Sequence, residues 1–162
     1  NFKVFAAGAF IGEHSFSRIL GKNRPDVQDM LHVAEFADQI YQKITVSQND
    51  LETISVPGKQ PYQPYYQPKD KDGNPVALHK VVPETSSNCI QCGLCASLCP
   101  MGSIDAENES RITGICIKCC ACIKNCPVEA KYFDDANYIW HKQELEVAFT
   151  SPRREPEFFI NI

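Results

Sequence analysis

From Phe2 to Ile11 the chain reads FKVFAAGAFI, an almost unbroken apolar run. Such a run predicts a strand covered on both faces, as in a parallel sheet, with Gly8 and Gly12 allowing close backbone approach or ending it. A polar stretch follows over 13–24. Pro25 suits a first helical position, and Asp26 and Asp29 suit a first turn. From there Val27, Met30, Leu31, Ala34, Ala37, Ile40, Tyr41 and Ile44 recur at helical spacing. This predicts an amphipathic helix over 26–44. Ser47 and Asp50 resemble a capping pair for a short helix over 48–54.

The pattern then breaks. Residues 57–84 hold six of the eleven prolines, with Tyr62, Tyr65 and Tyr66 interleaved. That composition predicts an extended linker whose tyrosines anchor it on a neighbouring surface. A last helix is predicted over 134–149, with Tyr138, Leu145 and Phe149 on one side. The aromatic end Phe158-Phe159-Ile160 predicts a tail that packs rather than hangs free. The chain thus divides into a strand–loop–helix at 1–46, a short helix and Pro-rich linker at 47–84, a central segment at 85–133, and a C-terminal helix and tail at 134–162.

Composition narrows the classes. With 162 residues, 43% hydrophobic and 22% charged, a packed core is possible and wholesale disorder is excluded. Sixteen basic against twenty acidic residues give a net charge of -4, which speaks against a nucleic-acid binder. No apolar run approaches the roughly 18 residues that a membrane span needs. The first residue is Asn1 rather than Met, so a processed or cut chain is expected. Lys3 followed by Val4–Gly12 loosely suggests a secretory signal, but no cleavage site follows, and a buried strand is the better reading.

All nine cysteines fall between Cys89 and Cys126. A disulfide scaffold spreads its cysteines along the chain, whereas this cluster reads as a metal site. Cys89, Cys92, Cys95, Cys99 and Pro100 repeat 27 residues later as Cys116, Cys119, Cys122, Cys126 and Pro127. Ile90 and Ile117 also match. Each run reads C-x2-C-x2-C-x3-C-P, the known bacterial pattern for iron–sulfur ligation, in which the fourth cysteine serves the other cluster. Three cysteines at i, i+3 and i+6 wrap one cubic cluster, and the fourth leaves on an outgoing turn. The expected ligands are Cys89, Cys92, Cys95 and Cys126 for cluster one, and Cys116, Cys119, Cys122 and Cys99 for cluster two. Pro100 and Pro127 turn the chain after the last ligand. Structural zinc uses two cysteine pairs across a longer loop, which is a different pattern.

Cys120, the ninth cysteine, faces Gly93 in the repeat and reads as a small buried filler, with a reactive thiol or an alternative ligand as the rival readings. His14, His32, His79 and His141 are scattered and need not be ligands. Ile90, Leu94, Leu98, Ile104, Ile112, Ile115, Ile117, Ile123 and Val128 predict a water-poor shell that helps set the reduction potential. Two oxidised clusters of roughly −2 each would take the chain to about −8, so a partner with a basic patch is the expected docking surface.

Residues 85–133 resemble a two-[4Fe-4S] bacterial-type ferredoxin. The resemblance implies an α+β, pseudo-twofold fold and low-potential electron transfer, one electron per cluster, in the cytoplasm. The segment Ala6-Ala7-Gly8-Ala9-Phe10-Ile11-Gly12-Glu13-His14-Ser15-Phe16-Ser17, with Gly21, Arg24-Pro25-Asp26 and the helix after it, resembles the last strand and helix of the flavodoxin-like half of flavodoxin–ferredoxin fusion proteins of anaerobic microbes. The phosphate-binding loop that holds FMN in that family has no counterpart here, so no FMN site carries over. The expected function is an electron carrier rather than a catalyst, since no Ser-His-Asp set or phosphate loop is evident. The rival reading is a ferredoxin-containing piece of an FMN-dependent oxidoreductase. The missing cover for the strand and helix is expected from a flavodoxin-like domain, the ferredoxin unit or a second copy of the chain.

Overall fold

The computed structural model describes residues 2–47 and 51–161. The chain forms two compact units. One comprises Asn1–His14, Ile19–Tyr65 and Thr150–Ile162; the other comprises Ser15–Arg18 and Tyr66–Phe149.

In the first unit the apolar N-terminal run forms strand β1 over Ala6–Ala9, shorter than expected. It is not a strand of a parallel sheet covered on both faces. It pairs antiparallel with strand β4, Glu157–Ile160, in the register Ala6↔Ile160 to Ala9↔Glu157. The reason is non-local: the aromatic tail supplies the pairing edge that an isolated strand lacks. Phe158 on β4 stacks on Phe36 at 4.9 Å and meets Phe10 at 5.4 Å. Gly8 lies beneath these rings, where a Cβ would come within 2.9 Å of both Phe10 and Phe36. The N–H of Ile54 donates to the carbonyl of Val4 at 2.9 Å.

Helix α1 runs over Val27–Ser47. Asp26 is its cap: the Asp29 N–H donates to Asp26 Oδ1 at 3.0 Å, and the Asp26 N–H donates back to Asp29 Oδ2 at 2.8 Å. This reciprocal pair is a capping box, so Pro25 precedes the cap instead of opening the helix. Asp29 is also buried against the guanidinium of Arg24. Asp29 thus lies on the inward side of the helix. Asp29, His32, Val33, Phe36 and Ile40 face inward, while Val27, Met30, Leu31, Tyr41 and Ile44 are exposed. The apolar stripe read from the sequence is therefore largely the outer face. The short helix expected over 48–54 begins outside the described residues, and 51–54 carry no regular structure.

In the second unit, residues 66–83 are less featureless than a plain linker. Asp70 closes a turn by accepting the N–H groups of Asp72 and Asn74 at 2.9 and 2.8 Å. Lys69 bridges to Pro75, and a 3-10 turn spans Leu78–Lys80. Strand β2, Glu84–Thr85, pairs antiparallel with β3, Lys131–Tyr132. Between them lie two one-turn helices, α2 at Leu94–Ser97 and α3 at Ala121–Lys124. Helix α4, Ala136–Phe149, is capped by Asp135, whose Oδ1 accepts the Tyr138 N–H at 2.8 Å. Tyr138 is buried between Phe133 and Phe16, at 4.1 and 4.9 Å. Of the linker tyrosines, Tyr66 stacks on His141 at 5.7 Å, whereas Tyr62 and Tyr65 are exposed.

Candidate metal centre

The 27-residue step of the cysteine runs is written into the backbone. It relates α2 to α3 and carries the cross-strand pair Thr85↔Lys131 onto Ile112↔Ile104. It also relates the left-handed residues: Gln91 to Lys118, Gly93 to Cys120, and Gly102 to Glu129, all with φ between 50° and 71°. Gln91 and Gly93, like Lys118 and Cys120, stand between cysteines, where left-handed residues curl a loop into the kind of concavity that takes anions and iron–sulfur groups.

The outgoing cysteines sit at equivalent places. The N–H of Ser103 donates to Cys99 Sγ at 3.3 Å, and the N–H of Ala130 donates to Cys126 Sγ at 3.2 Å. Burial opposes ionisation of both thiols. The backbone N–H groups of 101–104 and of 128–131 outweigh it, so Cys99 and Cys126 are held below the ordinary thiol range. Burial pushes the Cys122 thiol up to about 11, against the pull of the nearby Lys131 ammonium. It also raises Cys95, where Lys131 pulls down and Glu109 pushes up.

Two cavities gather the eight repeat cysteines. Cys89, Cys92, Cys95 and Cys126 line one, with Ile90, Leu94, Val128, Glu109 and Lys131 among their neighbours. Cys99, Cys116, Cys119 and Cys122 line the other, walled by Ile104, Ile112, Ile115, Ile117, Pro83 and Phe133. The space about them, open solvent included, is about 320 and about 420 Å³. Among the described residues no group of three or more His, Cys, Asp or Glu side chains converges as it would for a single metal ion. Every one of the nine cysteines is a free thiol. Four thiols around each cavity, with a backbone N–H aimed at the outgoing sulfur of each run, are donor chemistry that fits a thiolate-held cluster.

The expected shell is only partly in place. Leu98 and Ile123 line neither cavity, and Ile90, Ile115 and Ile117 line them while staying largely exposed. Cys120 is buried and lines the second cavity, with its Sγ 3.6 Å from the Tyr138 hydroxyl and 3.4 Å from the carbonyl of Lys118. Burial pushes both the Cys120 thiol and the Tyr138 phenol up, so both keep their protons. His32 and His141 meet aromatic rings, His79 contributes its carbonyl to Lys118, and His141 is buried, which lowers its pKa.

Three buried charged residues escaped the sequence reading: Glu109, Lys118 and Lys131. A signal for two of them was present. The 27-residue step sets Lys131 against Ile104 and Lys118 against Gln91, and a break in an otherwise regular repeat marks a local demand.

Comparison with known proteins agrees with this geometry. Residues 85–105 match the 4Fe-4S binding domain family. Over 75 residues the chain is 33% identical to the iron–sulfur cluster-binding subunit of menaquinone reductase from Nitratidesulfovibrio vulgaris (strain Hildenborough). That stretch is 43% of this chain, and the chain spans 29% of that relative's length. No solved structure matches. Among the described residues no helix is long and apolar enough to cross a membrane. Thiol-lined geometry and matched sequence together support a ferredoxin-type iron–sulfur protein, of α+β character, with a role in electron transfer.

Proposed function

We propose that the chain carries two [4Fe-4S] clusters with crossed ligation and works as a low-potential electron carrier. Cluster one is held by Cys89, Cys92, Cys95 and Cys126; cluster two by Cys116, Cys119, Cys122 and Cys99. The observation that carries this reading is the division of the eight thiols between the two cavities, each taking three cysteines from one run and the fourth from the other. Each cluster, when bound, supplies a one-electron couple. The protein's own residues do the rest. Ser103 and Ala130 hold the outgoing sulfurs by N–H bonds. Ile104, Ile112 and Val128 keep water from the cavity walls. Helices α2 and α3 fix the spacing of the ligands.

The holo chain, at about −8, suits a redox partner with a basic docking patch, and oxygen-sensitive clusters suit a reducing cytoplasm. Stepwise reduction of the loaded protein tests this function. Uptake of about two electrons per chain is expected. Uptake of about one, or of none, would refute it.

A second reading, a ferredoxin-containing part of an FMN-dependent oxidoreductase, is favoured by one observation. Val27, Met30, Leu31 and Tyr41 on α1 are each more than half exposed. An apolar stripe of that kind suits cover by another surface, and a flavodoxin-like domain or a second copy of the chain would supply it. The mass of the intact gene product decides whether sequence for such a domain accompanies this chain.

A further inference from the structure

We propose that Lys131 sets the two cluster sites apart, making the site of Cys89, Cys92, Cys95 and Cys126 the one that takes the first electron. This rests on the two-cluster reading above.

The argument starts from a broken symmetry. The 27-residue step equates Ile104 with Lys131, and the two residues occupy matching places. Ile104 is 7% exposed, pairs with Ile112 and lines the cavity of Cys99, Cys116, Cys119 and Cys122. Lys131 is 3% exposed, pairs with Thr85 and lines the cavity of Cys89, Cys92, Cys95 and Cys126. An apolar wall in one half is thus a cation in the other.

Burying that cation is costly, and the fold holds it with care. Its Nζ donates to the backbone carbonyl of Glu109. The Thr85 hydroxyl donates to the same carbonyl at 3.3 Å. The ammonium's hydrogen-bond acceptor is thus a backbone carbonyl and not a carboxylate. A fixed positive charge out of water favours the more negative, reduced state of a neighbouring group, because little solvent is present to screen it. The Glu109 carboxylate lines the same cavity and acts in the opposite sense, but it is engaged by the Gly93 N–H at 3.1 Å. Lys118, the other buried lysine, does not line either cavity. Its Nζ donates to the carbonyls of His79 and Cys116, at 3.0 and 3.4 Å.

The experiment is voltammetry of the full, cluster-loaded chain, with each wave assigned by the paramagnetically shifted NMR signals of the cysteine Cβ protons. The unsubstituted protein should give two separate one-electron waves, the higher belonging to Cys89, Cys92, Cys95 and Cys126. Lys131→Met should make reduction of that site at least tenfold less favourable, a shift of about 59 mV for one electron, with a smaller fall at the other site. Glu109→Gln should move the same wave the other way and leave the second unmoved. Lys131→Arg should keep both near their original places. If Lys131→Met fails to hold its clusters, Glu109→Gln and Lys131→Arg still decide. Iron and sulfide for one cluster only would overturn the two-cluster reading itself. Full cluster content with coincident waves, with the order reversed, or with waves that ignore both Lys131→Met and Glu109→Gln would overturn the role of Lys131 alone.

Discussion

The backbone N–H of Ser103 points at Cys99 Sγ from 3.3 Å, and the Ser103 hydroxyl donates to the carbonyl of Ile115 at 2.7 Å. One serine thereby ties an outgoing cysteine to the segment leading into the second run. Gly114 packs directly against it: a Cβ there would come within 2.8 Å of Ser103 Oγ and 3.4 Å of its Cα. Gly114→Ala should displace Ser103, at a cost of about 1–3 kcal/mol. Loss of the brown chromophore to a chelator should then be several-fold faster than in the unsubstituted protein. Gly12→Ala, where a Cβ meets nothing within 4 Å, is the control and should leave the rate unchanged. Equal rates for both variants would show that Ser103 does not support the site.

Tyr138 offers a way to separate packing from hydrogen bonding. Its ring is buried between Phe16 and Phe133, and among the described residues its hydroxyl meets the weak partner Cys120 Sγ at 3.6 Å. Tyr138→Phe should therefore cost about 1 kcal/mol or less. Tyr138→Ala, which empties an aromatic site, should cost about 3–5 kcal/mol. Urea unfolding followed by Trp140 fluorescence gives both values. Similar losses for the two variants would contradict the packing role.

Acid should loosen the N-terminal unit through Asp29. Hydrogen bonding from Arg24 holds its carboxyl well below the ordinary 3.8, against the opposing effect of burial. A depressed folded-state value stabilises the fold in full above the unfolded value. That stabilisation is lost progressively as pH falls below 3.8 and vanishes only once Asp29 itself takes a proton. Amide exchange of α1 should accelerate as pH falls through this range, after correction for intrinsic exchange. Asp29→Asn should start less protected and show a flatter dependence. A variant with the same acid profile as the unsubstituted chain would remove Asp29 from this role.

How much of this was legible in sequence follows from how local each feature is. The cysteine runs were readable because their spacing and their left-handed turns are fixed within a dozen residues. Helix α1 was readable for the same reason, but its inward face was not. Periodicity shows that Met30 and Leu31 share a stripe; it does not show that the side carrying Asp29, paired with Arg24, is the buried one. The partner of β1 was invisible because Ala6 and Ile160 meet across nearly the whole chain. Lys131 lay in between. Comparing the two halves exposes it as an odd residue, but only its pairing with Thr85 and its burial show that its charge is held at a cavity wall.

Crossed ligation has its own test. Cys126 is the last cysteine of the second run, yet it lines the cavity of Cys89, Cys92 and Cys95. Cys126→Ala should damage that cluster and spare the one held by Cys116, Cys119, Cys122 and Cys99, as read from the paramagnetically shifted cysteine signals. Loss of the signals of Cys116, Cys119 and Cys122 instead would reverse the assignment.

The most direct measurement is the metal and sulfide content of the anaerobically purified chain. Two cubic clusters require about eight iron and about eight acid-labile sulfide per chain, with broad absorbance near about 400 nm. That stoichiometry is the predicted result. Stoichiometric zinc without sulfide, or iron and sulfide at half these values in a fully loaded sample, would contradict the account.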